Sequence, residues 1–119
     1  MTSYNSNCRL STMPTDLLQG TLDLLVLKTL SLEPTHGWGI AQRIRQVSGD
    51  VFAVNQGSLY PALARLEQKG WVSGGEGVAE NGRKVKVYSL TRKGLKQLNE
   101  ERSNWTRVAE AMTRVLAEE

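Results

Sequence analysis

The stretch Asn-Gln-Gly-Ser-Leu-Tyr-Pro-Ala-Leu-Ala-Arg-Leu-Glu-Gln-Lys-Gly, which runs from Asn55 to Gly70, decides the fold. Leu59, Leu63 and Leu66 recur at spacings of four and three, which predicts a helix with one buried face. The other face carries hydrogen-bonding side chains with little charge, which suit the reading of base edges in DNA. These side chains are Gln56, Ser58, Tyr60, Arg65 and Gln68. An amphipathic helix that only packs against its own domain would show the same period.

The two ends of this helix differ in how clearly the sequence marks them. Gly70 is placed to end it, since glycine readily takes the left-handed conformation that follows a helix. Asn55 is a good N-cap residue, but a helix starting there has Pro61 in its interior, where a backbone hydrogen bond is lost. A start nearer Ser58 would put Pro61 in the first turn. We therefore expect the later start.

Composition excludes several classes of protein. A chain of 119 residues supports one small domain, and its net charge of +3 is too weak to indicate nucleic acid by itself. Cys8 and His36 are the only cysteine and histidine, which excludes an intramolecular disulfide and argues against a metal site. Paired carboxylates, a nucleophile beside a base and a phosphate-binding glycine loop are all missing, so we expect neither an enzyme nor a cofactor. Without a bilayer-length apolar run or a signal pattern, a cytoplasmic protein is expected.

The segments before the opening stretch predict the first part of a helix-turn-helix. Residues 1–14 are polar and without period, which indicates a flexible arm in which Cys8 is incidental. A leucine-rich helix is predicted from Asp16 to Leu32, and a second helix, starting near Thr35 or Trp38, should end at Val47. His36 is expected in a turn or as a cap. A short connector then leads into the Asn55–Gly70 helix, as in a helix-turn-helix.

The segment after Gly70 predicts a β-hairpin. Trp71–Ser73 and Val85–Leu90 have the β-branched and aromatic content of strands, and the glycine-rich 74–83 between them predicts a long, mobile tip. No acidic residue occurs in 81–99. A hairpin behind a helix-turn-helix is a wing, and beside a duplex its cations would neutralise phosphates or enter the minor groove. These cations are Arg83, Lys84 and Lys86. A solvated hairpin with ordinary surface lysines is the alternative.

The C-terminal segment predicts one long helix that pairs with a second copy. Thr91 is a plausible N-cap, and the helix should run nearly to Glu119. Its positions alternate spacings of three and four and form a heptad-like seam that only Arg102 interrupts. The seam consists of Leu95, Leu98, Arg102, Trp105, Ala109, Met112 and Leu116. A seam this long is hard to bury within so small a domain, so a homodimer is predicted, with Leu98, Trp105, Ala109, Met112 and Leu116 at its interface. Packing of the seam on its own domain is the alternative.

Several blocks of the sequence, in this order, resemble the signature of PadR-family transcriptional regulators. The blocks are Leu18-Gln19-Gly20-Thr21-Leu22-Asp23, His36-Gly37-Trp38-Gly39-Ile40, Gln56-Gly57-Ser58-Leu59-Tyr60-Pro61-Ala62-Leu63 with Arg65-Leu66-Glu67, and Tyr88-Ser89-Leu90-Thr91 with Gly94. The resemblance extends from about Leu17 to the C-terminus. It implies a winged helix-turn-helix, a dimer built through the C-terminal helix, and repression by occupying a promoter. The short chain resembles the branch of the family with a single C-terminal dimerisation helix. Trp38 departs from the more usual tyrosine.

The resemblance also implies particular functional residues. Carried over by position, the DNA contacts of the recognition helix fall on Gln56, Ser58, Tyr60 and Arg65, and the wing falls on 74–86. In some members an aromatic residue of the C-terminal helix lines a cavity between subunits that binds flat aromatic effectors. Trp105 is the residue that would do so here, and a packed interface tryptophan is the bland alternative.

The sequence thus predicts a mostly α protein with a small β-hairpin. Residues 15–90 would form a winged helix-turn-helix that binds double-stranded DNA, and residues 91–119 a dimerisation helix. The expected function is a homodimeric repressor that reads an inverted-repeat operator and is released by a small aromatic effector. The alternative is a winged-helix protein-interaction module without sequence-specific DNA binding.

Overall fold

The computed structural model describes residues 15–118, with side chains from residue 20 onward, and contains four helices and three strands in that range. In chain order these are α1 (Thr15–Leu32), β1 (Thr35–His36), α2 (Gly37–Val47), α3 (Gln56–Gln68), β2 (Val72–Val78), β3 (Lys84–Leu90) and α4 (Arg92–Ala117). The predicted arm, 1–14, lies outside the described residues. The mostly helical winged helix-turn-helix predicted from the sequence is confirmed.

The core lies where α1, α2 and α3 meet the sheet and the first turns of α4. Each helix contributes one apolar face, and the partly buried Phe52, Val54 and Trp71 pack around the edge. Burial of these faces is the main favourable term in folding. The core residues are Leu22, Val26, Leu27, Leu30, Ile40, Ile44, Leu59, Ala62, Leu63, Leu66, Val72, Tyr88 and Leu98.

The helix α3 begins at Gln56, so the predicted later start is wrong. The Asn55 side chain accepts a hydrogen bond of 2.9 Å from the backbone N–H of Ser58, which satisfies one free donor of the first turn. Pro61 therefore lies inside the helix and leaves the carbonyl of Gly57 without its helical donor. Gly57 is exposed, so water can donate a hydrogen bond to that carbonyl and little stability is lost. The predicted end is correct, since Gly70 follows the helix with a φ of 80°.

The other two caps follow the prediction. The Nδ1 atom of His36 accepts a hydrogen bond of 3.1 Å from the N–H of Gly39 and begins α2, which gives His36 its capping role. Thr91 begins α4, where its hydroxyl accepts a 2.9 Å hydrogen bond from Gly94. The same hydroxyl lies 2.7 Å from the carbonyl of Gly70 and 3.0 Å from that of Trp71, to which it donates. These contacts fasten the start of α4 to the end of α3.

The sheet is antiparallel, with β3 between β1 and β2. The strands β2 and β3 pair from Val72↔Leu90 to Val78↔Lys84, so the predicted long tip is wrong. Half of the glycine-rich segment, 74–78, is strand, because glycine supplies the same backbone hydrogen bonds as other residues. Only 79–83 form the loop, in which Gly82 takes a φ of 85°. The strand β1, only two residues long, was not predicted, since two residues carry no readable period.

Candidate nucleic-acid interface

The helix α3 presents two different faces. Its apolar face is fully buried in the core, and its polar face is exposed at Gln56, Ser58 and Tyr60. These three side chains lie in the first five residues of the helix. The N-terminal part of a recognition helix is the part that contacts base edges in helix-turn-helix proteins. The buried and exposed faces together match the predicted reading helix more closely than a helix with a packing role alone.

The ring of Tyr60 lies against Gly37, the first residue of α2. A Cβ atom at Gly37 would be 2.7 Å from the hydroxyl oxygen of Tyr60 and 2.8 Å from the ring, so any other side chain would displace the tyrosine. Tyr60 remains 42% exposed. Gly37 is therefore a positioning residue that the sequence analysis did not identify. The only signal was its place in the His36–Ile40 block.

Arg65, a predicted DNA contact, is instead bound to α1. One of its guanidinium nitrogens lies 2.8 Å from Oδ1 of Asp23, and both side chains are partly buried. Burial raises the pKa of Asp23, and the charge and hydrogen bond of Arg65 offset part of that rise. The guanidinium thus holds α3 to α1, and a DNA contact by Arg65 stays a prediction.

The tip of the wing carries two exposed cations. Arg83 and Lys84 stand at the end of the hairpin, where the side chain of Asn81 accepts a hydrogen bond from the backbone N–H of Arg83. This bond and the positive φ of Gly82 fix the turn, as an Asn-Gly sequence favours. The two cations therefore project from a short, closed loop.

Lys86, the third predicted wing cation, is paired with an acid of α3. Its ammonium lies 3.0 Å from Oε1 of Glu67 and 5.4 Å from the centre of the Tyr88 ring. The hydrogen bond to Glu67 raises the pKa of Lys86. Glu67 was not identified from the sequence, because the contact joins residues 19 positions apart and no local pattern reports it.

The helix α4 exposes an apolar face over its C-terminal half. Trp105 and Met112 are 51% and 54% exposed, and Val108, Val115 and Leu116 are also open to solvent. Ala109 is half-buried. Leu98, in contrast, is 2% exposed and packs in the core of its own chain, so its predicted place at a dimer interface is corrected. Leu98 is thus the buried member of the seam, while Leu95, Arg102, Trp105, Met112 and Leu116 remain exposed.

Two negative findings concern residues 15–118. The described part of the chain holds no group of three or more histidine, cysteine, aspartate or glutamate side chains that could bind a metal ion. None of its helices combines the length and apolar character needed to cross a lipid bilayer.

Comparison with known proteins gives one consistent family. The sequence model of the transcriptional regulator PadR-like family matches residues 26–100. A protein of Lysinibacillus sphaericus, known as uncharacterized protein X, is 30% identical over 95 residues, which are 80% of this chain and 87% of that protein.

Solved structures agree with the sequence comparison. The crystal structure of a PadR-like transcriptional regulator from Bacillus cereus is 29% identical, with a TM-score of 0.74 over 87% of this chain and 99% of that one. A PadR family transcriptional regulator from Eggerthella lenta is 26% identical, with a TM-score of 0.74 over 93% of this chain and 95% of that one. Since the family model alone covers more than half of the sequence, the chain belongs to the PadR-like family of transcriptional regulators.

Proposed function

We propose that this regulator is a sequence-specific DNA-binding repressor that acts as a homodimer. The observation that carries the proposal is the exposed, uncharged polar face of α3 beside a basic wing. Gln56 and Tyr60 offer amide and hydroxyl groups of the kind that bind base edges in the major groove. The buried face of α3 fixes the direction in which they point, since all four of its apolar side chains are packed in the core.

The wing supports the phosphate contacts of such a complex. Arg83 and Lys84 are exposed at its tip, where Glu80 of the same loop is also exposed, and residues 81–99 contain no acidic side chain. Neutralising phosphates supplies most of the sequence-independent affinity for DNA. In the proposed complex α3 reads the bases while the wing holds the flanking backbone.

The dimer is proposed from the exposed apolar face of α4. Trp105, Met112 and Leu116 lie seven and four positions apart, which places them along one side of the helix, and they remain exposed in the single chain. Packing this face on its symmetry mate would bury it and give two reading heads related by a two-fold axis. Two such heads suit an inverted repeat with half-sites about one helical turn apart.

The proposal also includes a binding site for a small effector at the dimer interface. Trp105 is the exposed aromatic residue of this face, so in a dimer two such rings would flank the two-fold axis. A flat aromatic molecule between them would release the operator if it bound the two arrangements of the heads with different affinity. Titrating planar aromatic compounds while following tryptophan fluorescence tests this, with Trp105→Ala as the comparison. Identical responses would remove Trp105 from the site.

The experiment that tests DNA recognition is an electrophoretic shift with the DNA upstream of the protein's own gene, followed by selection from a random-sequence library. A discrete complex that resists non-specific competitor is expected. Gln56→Ala and Tyr60→Ala should relax the selected sequence, and Gln68→Ala, at the far end of α3, is the control that should not. If neither the upstream DNA nor the library yields a specific complex, the protein-interaction module replaces the repressor.

A further inference from the structure

An acidic side chain of α3 faces the wing on the surface that the proposed function assigns to DNA. Glu67 is the only acidic residue of α3, and it lies one residue before the end of that helix, where its carboxylate contacts Lys86 of the wing. A carboxylate at a phosphate-binding surface repels the ligand unless a cation neutralises it. Here the neutralising cation is Lys86, a residue of the wing itself.

The path that brings Lys86 to Glu67 crosses the neighbouring strand at Gly74. A Cβ atom at Gly74 would collide with Cε of Lys86 and would lie 3.1 Å from Oε2 of Glu67. In the sheet register, Lys86 is opposite Glu76 and Tyr88 is opposite Gly74, so the lysine runs diagonally over the glycine. Its ammonium lies over the Tyr88 ring as it reaches α3. The missing side chain at Gly74 thus leaves a passage for Lys86.

Lys84, two residues earlier, provides the contrast. It is on the same face of β3, but its cross-strand partner is the uncharged Val78. The side chain of Lys84 is exposed, whereas the ammonium of Lys86 is hydrogen-bonded to the Glu67 carboxylate. The two lysines are therefore not equivalent as phosphate ligands.

We propose that Glu67 sets the DNA affinity of this protein by occupying Lys86, so that a DNA phosphate has to displace the Glu67 carboxylate to gain that contact. This inference rests on the proposed DNA-binding function. Phosphate and carboxylate compete for the same ammonium donors. The free protein therefore presents a wing with fewer available cations than its sequence contains. If the wing does not bring a phosphate close to Lys86, the lysine stays paired with Glu67 and the protein binds that DNA more weakly.

Two variants release Lys86 in different ways, and each has a matched control. Glu67→Gln removes the carboxylate, and Glu76→Gln makes the same change of charge on β2, where no ion pair with Lys86 forms in the structure. Gly74→Ala fills the passage without changing charge, and Gly75→Ala adds the same methyl group in open space.

The measurement is the affinity of the full-length protein for a duplex of scrambled sequence, as a function of salt. Glu67→Gln should bind more tightly than Glu76→Gln, and Gly74→Ala more tightly than Gly75→Ala. One freed lysine steepens the salt slope by about 0.9, so each advantage should shrink about threefold per contacting subunit between about 50 mM and 200 mM salt. In a Lys86→Ala background, Glu67→Gln should gain no more than Glu76→Gln does.

The outcomes separate this inference from the function on which it rests. If the wild-type protein binds no duplex at all, the proposed function fails. If the wild type binds but Glu67→Gln equals Glu76→Gln or binds more weakly, Glu67 does not compete with phosphate and the inference fails alone. A gain in Glu67→Gln that Gly74→Ala does not share would also overturn it, because the effect would then come from lost negative charge and not from release of Lys86.

Discussion

The helices α3 and α4 are both amphipathic, yet only α3 completes its packing within the chain. The four apolar residues of the α3 face are all 0% exposed, whereas α4 buries Leu98 and then leaves Trp105, Met112 and Leu116 in solvent. The difference shows where the core ends, because Leu98 is the last residue of α4 that belongs to it. What α3 leaves exposed is polar and suits DNA, and what α4 leaves exposed is apolar and suits a second protein surface.

The largest effect should come from a charge on the open face of α4. Met112→Glu should abolish the dimer, because an unpaired carboxylate would be buried at the interface. Loss of bivalent binding should lower operator affinity by at least about 100-fold. Light scattering after size exclusion measures the oligomeric state, and an electrophoretic shift measures the affinity.

The control for this variant is Thr113→Glu, which places the same charge one position along the helix. Thr113 is exposed and its hydroxyl binds the carbonyl of Ala109. We expect Thr113→Glu to remain a dimer. A Met112→Glu variant that is still dimeric, or a wild type that is monomeric at micromolar concentration, would contradict the proposed use of this face.

The next effect concerns the buried start of α4. A Cβ atom at Gly94 would collide with the carbonyl oxygen of Trp71 and lie 2.8 Å from Cδ1 of Leu90. Because the obstacle is backbone, Gly94→Ala should lower the free energy of unfolding by about 1–3 kcal/mol, as overpacking does. Urea unfolding measures it. Gly20→Ala, where a methyl group meets nothing within 4 Å, should be neutral or stabilising by up to about 1 kcal/mol. Equal stabilities of the two variants would mean that α4 does not dock as described.

A smaller effect distinguishes the two lysines beside α3. Lys84→Ala should reduce the salt slope of DNA binding by about 0.9 per subunit, the share of one phosphate contact. Lys86→Ala should reduce it less, since Glu67 already holds that ammonium in the free protein. Affinities measured over a salt series test the order. A larger reduction for Lys86→Ala would mean that the exposed tip is not the main phosphate contact of the wing.

The smallest effect concerns the ion pair that holds α3 to α1. The pKa of Asp23 is raised above its ordinary value of 3.8 by burial, so the folded state binds its proton more tightly than the unfolded chain does. That contribution to stability is complete below about pH 3.8 and is lost as the pH rises through the raised pKa. Wild type should therefore lose stability relative to Asp23→Asn over that interval. Urea unfolding of both proteins across pH tests the sign. The free energy of unfolding of wild type minus that of Asp23→Asn should fall as the pH rises, and a value that stays constant or increases would contradict the prediction.

Periodic features of this chain were predictable and contacts distant in sequence were not. The leucine period of α3, the Gly70 stop and the Thr91 cap are local patterns that the structure confirms. The pairing of Arg65 with Asp23 joins residues 42 positions apart, and nothing in either neighbourhood reports it. Leu98 has the same local pattern as Met112, and only the three-dimensional packing shows that one is buried and the other open. The glycines of β2 carried a turn-like composition that the sheet register overrode.

The attachment of α4 to the end of α3 has a mechanical consequence. The hydroxyl of Thr91 donates to the carbonyls of Gly70 and Trp71, and Gly94 packs on the carbonyl of Trp71, so the start of α4 is held firmly to the end of α3. The 26 residues of α4 make a lever roughly 39 Å long at 1.5 Å per residue. In the proposed dimer, a rotation of roughly 10° about Trp105, which lies about 20 Å along α4 from its start, would shift α3 by roughly 3 Å, close to the rise of one base pair. Small rearrangements around Trp105 would thus be amplified into a change of half-site spacing.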